Sequence, residues 1–147
     1  MTAETVAAFA GAVAAFAALG QLALNRDEAN KRAVLSHIRE IESRMDPLLH
    51  LNAGEWAQIR SEILRCYQDG GNLEPDARKY LSLLNAMDFA ALAVRMDVVH
   101  GPLLREYLQT QIDKEIVSAA MLKDLQACYH ASTYKDLLEF IQTRPYQ

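Results

Sequence analysis

The order of hydrophobic and polar positions divides the chain into a long apolar stretch and a longer amphipathic remainder. Residues 6–24, VAAFAGAVAAFAALGQLAL, contain no ionisable side chain, and Gln21 is their one strongly polar residue. A helix of about 20 residues matches the roughly 30 Å hydrocarbon core of a bilayer. A core helix of a soluble protein usually keeps a polar face, and this stretch has none. The pattern therefore predicts a transmembrane helix, with residues 1–25 as an anchor that contacts lipid through residues 6–24.

Other interpretations of the apolar stretch stay open. It is rich in alanine, which is nearly neutral in membrane insertion, so the larger apolar residues must supply most of the driving force. The same composition suits a buried helix in a soluble assembly or a helix that lies in the membrane interface. A cleaved signal peptide fits poorly, because the chain begins MTAET, without the basic residues that precede such a signal.

The charges on either side of the anchor predict its orientation. The N-terminal side offers only the α-amino group and Glu4, whereas the C-terminal side carries four cations: Arg26, Lys31, Arg32 and Arg39. Lys and Arg are enriched on the cytoplasmic side of membrane helices. We therefore expect a short N-terminus outside and the rest of the chain in the cytoplasm.

Small residues recur every four positions along the predicted anchor. This row consists of Ala3, Ala7, Gly11 and Ala15. Small side chains at this spacing let two helices approach closely in lipid, where packing drives association. The row is a candidate helix-pairing face and makes a homo-oligomer one expectation, although rows of this kind also arise by chance in alanine-rich segments.

Beyond the anchor, the chain keeps the period of a helix. No Gly or Pro interrupts residues 25–46, so we expect the first helix to continue without a break until Pro47 ends it. Its apolar positions recur at spacings of four and three, which is typical of one helix face. They are Val34, Ile38, Ile41, Met45 and Leu48.

Further helices are marked by residues typical of helix ends. Asn52 is a suitable N-cap for a second helix, which the sequence DGG at 69–71 ends. A third is predicted from Pro75 to about Met96, and HGP at 100–102 is the next break.

The C-terminal third is less clearly divided. A fourth helix begins near Pro102 and either runs on through residues 118–130 or bends near Ser118. The last is expected to be capped by Ser132 or Thr133. No run of alternating apolar residues has the length of a strand. The predicted fold class is all-α: an N-terminal transmembrane helix that continues into a small cytoplasmic helical bundle, residues 26–147.

Composition and motifs point away from catalysis and from nucleic acid. The net charge is −4, with no basic block of the kind that binds phosphates. The four histidines and two cysteines are scattered, and none has the spacing of a helical metal site. No phosphate-binding glycine loop or nucleophile elbow is present. We therefore expect no enzymatic activity, no metal and no cofactor. Cys66 and Cys128 are expected to be reduced thiols, and a single disulfide between them is the alternative.

Polar residues on the most apolar helix are the remaining candidates. Asn85 and Asp88 lie three apart, and Arg95 lies seven beyond Asp88 on the same side of the helix. One hypothesis is a polar stripe in which Asp88 hydrogen-bonds a neighbouring helix. The other is a surface that binds a partner protein.

The segment YLSLLNAMDFAALAVRMDVVHGPLLREYLQTQI, residues 80–112, resembles a family of small bacterial and phage proteins of unestablished function. Members of that family have one N-terminal transmembrane helix and a short cytoplasmic helical domain. The segment departs from the family pattern at Asp88, where Glu is expected, and at HGP, which replaces an acidic break. The matching positions are Asn85, Asp88, Leu92, Val99, Leu104 and Tyr107.

The resemblance implies location and architecture more than activity. The function we expect is a protein-interaction module anchored in the bacterial inner membrane. Its concrete form is a phage-encoded host-interaction or superinfection-exclusion factor that binds and modulates a membrane-associated protein. The alternatives are a self-assembling structural subunit whose alanine-rich helix forms the oligomer core, and a holin-like protein that permeabilises the membrane.

Overall fold

The computed structural model describes residues 2–99, 102–114 and 116–143, with the side chains of Ala3, Glu4 and Tyr67 left out of the description. Six α-helices and no strand occur in these residues, which confirms the all-α fold class and the long apolar first helix followed by a small bundle. The helices are α1 (Ala3–Met45), α2 (Ala53–Asp69), α3 (Pro75–Arg95), α4 (Pro102–Asp113), α5 (Ala119–Cys128) and α6 (Lys135–Gln142).

The chain forms two compact units that divide between Ala33 and Val34. The first is a single helical segment, and the second, which we call the helical domain, contains the rest of α1 and the other helices. The predicted boundary after residue 25 follows the end of the apolar stretch. The compact unit begins later because Val34 is the first residue of α1 to be buried.

The ends of α1, α2 and α3 follow their sequence signals. α1 ends at Met45, and Pro47 lies in a short 3-10 turn, Asp46–Leu48. The Asn52 side chain accepts a hydrogen bond from the N–H of Glu55, whose carboxylate accepts one from the N–H of Asn52. This reciprocal pair is a capping box, which satisfies two N–H groups that the first turn of α2 leaves unpaired.

In the C-terminal third, the structure shows where α4 ends, and the predicted cap of α6 is wrong. The fourth helix does not run on: α4 ends at Asp113, and Ser118 caps α5 by accepting from the N–H of Met121 at 3.2 Å. Neither Ser132 nor Thr133 caps α6. The N-cap is Tyr134, in the left-handed region at φ 50° and with no capping side chain of its own. Its side chain is buried, so the core rather than local capping chemistry fixes where α6 begins.

α3 is the central helix of the domain and contacts α2, α4, α6 and the 3-10 turn. Tyr80 is fully buried on α3, and its hydroxyl donates to the carbonyl of Ile116 at 2.6 Å. Its ring meets Trp56 of α2 edge-on at 5.3 Å. Burial raises the pKa of the Tyr80 hydroxyl. Tyr80 therefore connects α3 to α2 and to the α4–α5 loop.

Within the domain, α1 and α3 run antiparallel. The rings of His37 on α1 and Phe89 on α3 lie 5.4 Å apart. Arg44, seven residues after His37, donates to the hydroxyl of Ser82, which lies seven residues before Phe89. The C-terminal end of α3 therefore lies at the end of the domain where α1 enters it. The 3-10 turn after α1 lies at the opposite end.

Candidate functional site

The exposed apolar surface of α1 is the first candidate site. No part of its span-length apolar stretch is buried. The large apolar side chains there are 48% to 77% exposed: Val6, Phe9, Val13, Phe16, Leu19, Leu22 and Leu24. By length and composition, α1 is the one helix among the described residues that could cross a membrane. An apolar surface this large is typical of a segment covered by lipid or by another chain.

Most of the small-residue row is open to a neighbour. Ala7, Gly11 and Ala15 are exposed, and the side chain of Ala3 lies outside the described part of the chain. A Cβ atom added at Gly11 would meet no other atom within 4 Å. The row therefore has the space that close helix pairing needs, and the pairing stays a prediction.

A charged band follows the apolar stretch. Lys31 lies 2.7 Å from Asp27, and Arg32 lies 3.7 Å from Glu28, each pair one helical turn apart. The hydrogen bond and charge of Asp27 raise the pKa of Lys31. Topology depends on Lys and Arg far more than on Asp and Glu, so these pairs leave the predicted orientation unchanged.

Asp88 forms a hydrogen bond between two helices. Its Oδ1 accepts from the N–H of Leu137 at 2.8 Å, in the first turn of α6. Tyr134, the N-cap of α6, supplies no side-chain acceptor, so Asp88 satisfies an N–H group that α6 leaves unpaired. Burial raises the pKa of Asp88, and the backbone N–H groups of Leu137 and Asp136 oppose that shift.

Arg95 also contacts α6. Its Nη2 lies 2.7 Å from Asp136 Oδ1 and its Nη1 lies 3.4 Å from Glu139 Oε2. The contact with Asp136 is an ion pair by distance, but Oδ1 of Asp136 has no partner in hydrogen-bond geometry. Asp88 and Arg95 thus both hold α6 against α3, as the polar-stripe hypothesis expects of Asp88.

Asn85 does not join this contact. It is exposed on α3, one turn before Asp88. The structure therefore brings Asp88 and Arg95 together through α6 and leaves Asn85 at the surface. The partner-surface hypothesis for these three residues stays a prediction.

A cavity of about 230 Å³ lies where α3, α4 and α6 meet. Arg95, Asp136 and Glu139 line one side of it, and on another side the Arg105 guanidinium lies 5.9 Å from the ring centre of Phe140. This distance is that of a cation–π contact. Two cations and two anions give the cavity no net charge, so it has no evident preference for either sign of ligand.

The remaining candidates for chemistry among the described residues are metal ligands, cysteines and histidines. No group of three or more His, Cys, Asp or Glu side chains there could hold a metal ion. Cys66 and Cys128 are both free thiols. Burial lowers the pKa of His37, whose ring lies tilted against that of Phe89.

Sequence reasoning missed the residues that complete the α3–α6 contact and the cavity. These are Arg105, Asp136, Glu139 and Phe140. Asp136 and Glu139 lie one turn apart on α6, which is a visible pattern, but Glu139 is 44 residues from Arg95. Only the tertiary fold brings the acidic pair to that guanidinium.

Comparison of the chain with known protein families, curated proteins and solved structures finds no match. The resemblance of residues 80–112 to the bacterial and phage family therefore stays a prediction.

Proposed function

We propose that this protein is a single-pass protein of the bacterial inner membrane whose helical domain binds and modulates a membrane-associated protein. In this proposal the N-terminus is outside and the helical domain is in the cytoplasm. One observation supports the membrane anchor: the whole apolar stretch of α1 is unburied, while the core of the domain begins only at Val34.

The free energy of apolar exposure supports a covered α1. Removing one large apolar side chain from water gains about 1.5–3 kcal/mol. Seven such side chains on α1 are exposed by about half or more. Together they favour a covered state by on the order of 10 kcal/mol, and a bilayer covers all sides of a helix that has no polar face.

The role as an interaction module rests on the absence of a recognisable catalytic pattern in the sequence and on the family resemblance. That resemblance suggests a phage-encoded host-interaction or superinfection-exclusion factor. The proposed partner contacts the α3–α6 edge, where Asn85 and the side chain of Arg95 are accessible. Asp88 positions α6 for that contact. Affinity capture from detergent tests this with wild type and Asn85→Arg, and loss of the same captured protein from Asn85→Arg is the expected result.

Membrane fractionation tests the anchor and its orientation. We expect the full chain to stay with membranes through alkaline carbonate and to be released by detergent. A reporter that is active only in the cytoplasm should be active when fused to the C-terminus. A detergent-free soluble protein of defined oligomeric size would contradict the anchor and favour the self-assembling subunit. Loss of membrane potential on expression would favour the holin-like alternative.

Helix pairing through the small-residue row has its own test. Gly11→Ile should reduce self-association in a membrane dimer assay, because a branched side chain prevents close approach of the backbones. Gly20→Ile is a matched control, since Gly20 also has no atom within 4 Å of an added Cβ. Gly20 also lies nine residues after Gly11, which places it on the opposite face of the helix. Equal association of wild type, Gly11→Ile and Gly20→Ile would remove the pairing face from the proposal.

A further inference from the structure

Apolar and charged side chains together line the cavity between α3, α4 and α6. Its volume of about 230 Å³ lies below the roughly 300–1,000 Å³ of sites for drug-sized ligands. Ala91 and Val94 of α3 and the ring of Phe140 on α6 give it an apolar lining. An apolar lining with a few charged groups is typical of a site that binds a small molecule.

The carboxylates at this cavity outnumber the guanidinium group that pairs with them. Arg95 Nη2 lies 2.7 Å from Asp136 Oδ1, and Arg95 Nη1 lies 3.4 Å from Glu139 Oε2. One positive charge thus faces two negative charges. Among the described residues, no group donates a hydrogen bond to the buried Oδ1 of Asp136. A positively charged hydrogen-bond donor is therefore the group that these carboxylates lack.

Arg105 of α4 has the opposite imbalance. Its guanidinium lies 5.9 Å from the ring centre of Phe140, in a cation–π contact that orients it at the cavity. No carboxylate of the described residues forms an ion pair with Arg105, whereas Arg95 has two. A guanidinium group binds a carboxylate through two parallel hydrogen bonds. Arg105 therefore offers a place for a carboxylate in the same cavity.

A ligand with a single charge fits this arrangement poorly. An anion at Arg105 would share the small cavity with the carboxylates of Asp136 and Glu139, and a cation at those carboxylates would share it with Arg105. Like charges repel each other more strongly in a partly buried site than in water. A ligand that carries both charges can place each beside its opposite. Because the cavity is small, the two charges must lie close together on the ligand.

We infer that this cavity binds a small zwitterion, an α-amino acid with an apolar side chain. The ligand's carboxylate pairs with Arg105, and its ammonium group pairs with Asp136 and Glu139. Its side chain contacts Val94 and Phe140. The inference goes beyond the proposed function, because it requires neither a membrane anchor nor a protein partner.

Isothermal titration calorimetry of the full chain in detergent tests the inference, with L-leucine, L-valine and L-phenylalanine as probes. We expect at least one of them to bind with a Kd below about 1 mM. The tightest of them is then compared with two analogues, one without the ammonium group and one without the carboxylate. For leucine these are 4-methylpentanoate and 3-methylbutylamine. Each analogue should bind at least about tenfold more weakly, because it leaves one charge of the cavity unpaired.

Variants of the lining residues show whether the ligand occupies this cavity. Arg105→Gln should weaken binding at least about tenfold. Arg65→Gln is the matched control, because Arg65 is an exposed arginine of α2 that does not line the cavity. Glu139→Gln should weaken binding of the amino acid and strengthen binding of the analogue without the ammonium group, because one repelling charge is removed. A variant that only disturbs the fold would weaken both, and Trp56 fluorescence monitors the fold of each variant.

Three results would overturn the inference. The first is no heat of binding from any of the three amino acids at about 10 mM, tenfold above the expected Kd. The second is equal affinity of wild type and Arg105→Gln, which would place the ligand elsewhere on the protein. The third is an analogue that binds as tightly as its parent amino acid, since the cavity would then recognise one charge only. None of these results bears on the anchor or the protein partner, which fractionation and affinity capture test separately.

Discussion

Asp88 supplies, from the middle of α3, the acceptor that α6 needs at its first turn. Its Oδ1 takes the N–H of Leu137, 49 residues away. Local capping chemistry in the sequence STYKD favours Ser132 or Thr133 instead. Those hydroxyls do not cap α6, because the buried Tyr134 sets its start. A cap that comes from another helix has no local sequence signal, so the pattern pointed to Asp88 without identifying its partner.

Replacing Asp88 separates its charge from its role as acceptor. Asp88→Ala leaves the Leu137 N–H unpaired and should lower the free energy of unfolding by about 1 kcal/mol, the usual effect of losing a cap. Asp88→Asn keeps an acceptor oxygen and should be milder. Urea unfolding of the detergent-solubilised chain, followed by Trp56 fluorescence, measures both. An equal loss of unfolding free energy in the two variants would show that the charge of Asp88, and not its acceptor oxygen, stabilises the fold.

The stability difference between Asp88→Asn and wild type is predicted to depend on pH. Burial raises the pKa of Asp88 above its ordinary value of 3.8, so folding favours the protonated carboxyl. Its contribution to stability is fully present below that value and is lost as the pH rises through the raised pKa. The free energy of unfolding of Asp88→Asn, relative to wild type, should therefore increase as the pH rises above 3.8. A relative stability that falls over this range would contradict the raised pKa.

At the scale of helices, ends with local signals were predicted well and ends set by packing were not. Asn52, Pro75 and Gly70 each mark a helix end through their own backbone or side-chain chemistry. The division between α4 and α5 could not be decided from periodicity, because Ser118 suits either a helix interior or a cap. The unequal burial of α1 was also not readable from its continuous helical pattern.

Gly70 shows how strictly a helix end depends on one backbone conformation. It follows α2 at φ 74°, and its N–H donates to the carbonyl of Cys66 at 2.8 Å. Gly70→Ala should cost about 1 kcal/mol of unfolding free energy, because an L side chain is strained in the left-handed region. An added Cβ there meets no atom within 4 Å, so strain is the whole effect.

Gly71→Ala is the matched control for this helix end. Its added Cβ would lie 3.6 Å from the Cys66 sulfur, an ordinary contact, and no left-handed φ applies to it. Thermal unfolding of the two variants should show a lower midpoint for Gly70→Ala only. Equal midpoints would mean that α2 ends without needing the left-handed glycine.

For the whole molecule, the sequence predicted the architecture from composition and period, but not where the folded unit begins. The apolar stretch ends at Leu24, and the charged residues after it looked like the start of the domain. Those residues are exposed on α1, and every buried residue among those described lies at Val34 or later. Where burial starts depends on contacts with α3, which the pattern of α1 alone does not contain.

This division predicts that the helical domain folds without the anchor. A chain of residues 26–147 should be soluble without detergent and should unfold cooperatively, with the same Trp56 fluorescence midpoint in urea as the full chain, because no described core side chain is removed. A chain of residues 42–147 is the control. It lacks the buried Val34 and Ile41, and loss of two such side chains costs roughly 3–6 kcal/mol, so its midpoint should fall sharply. Aggregation of the 26–147 chain, or a broad transition, would show that the domain needs its apolar helix to fold.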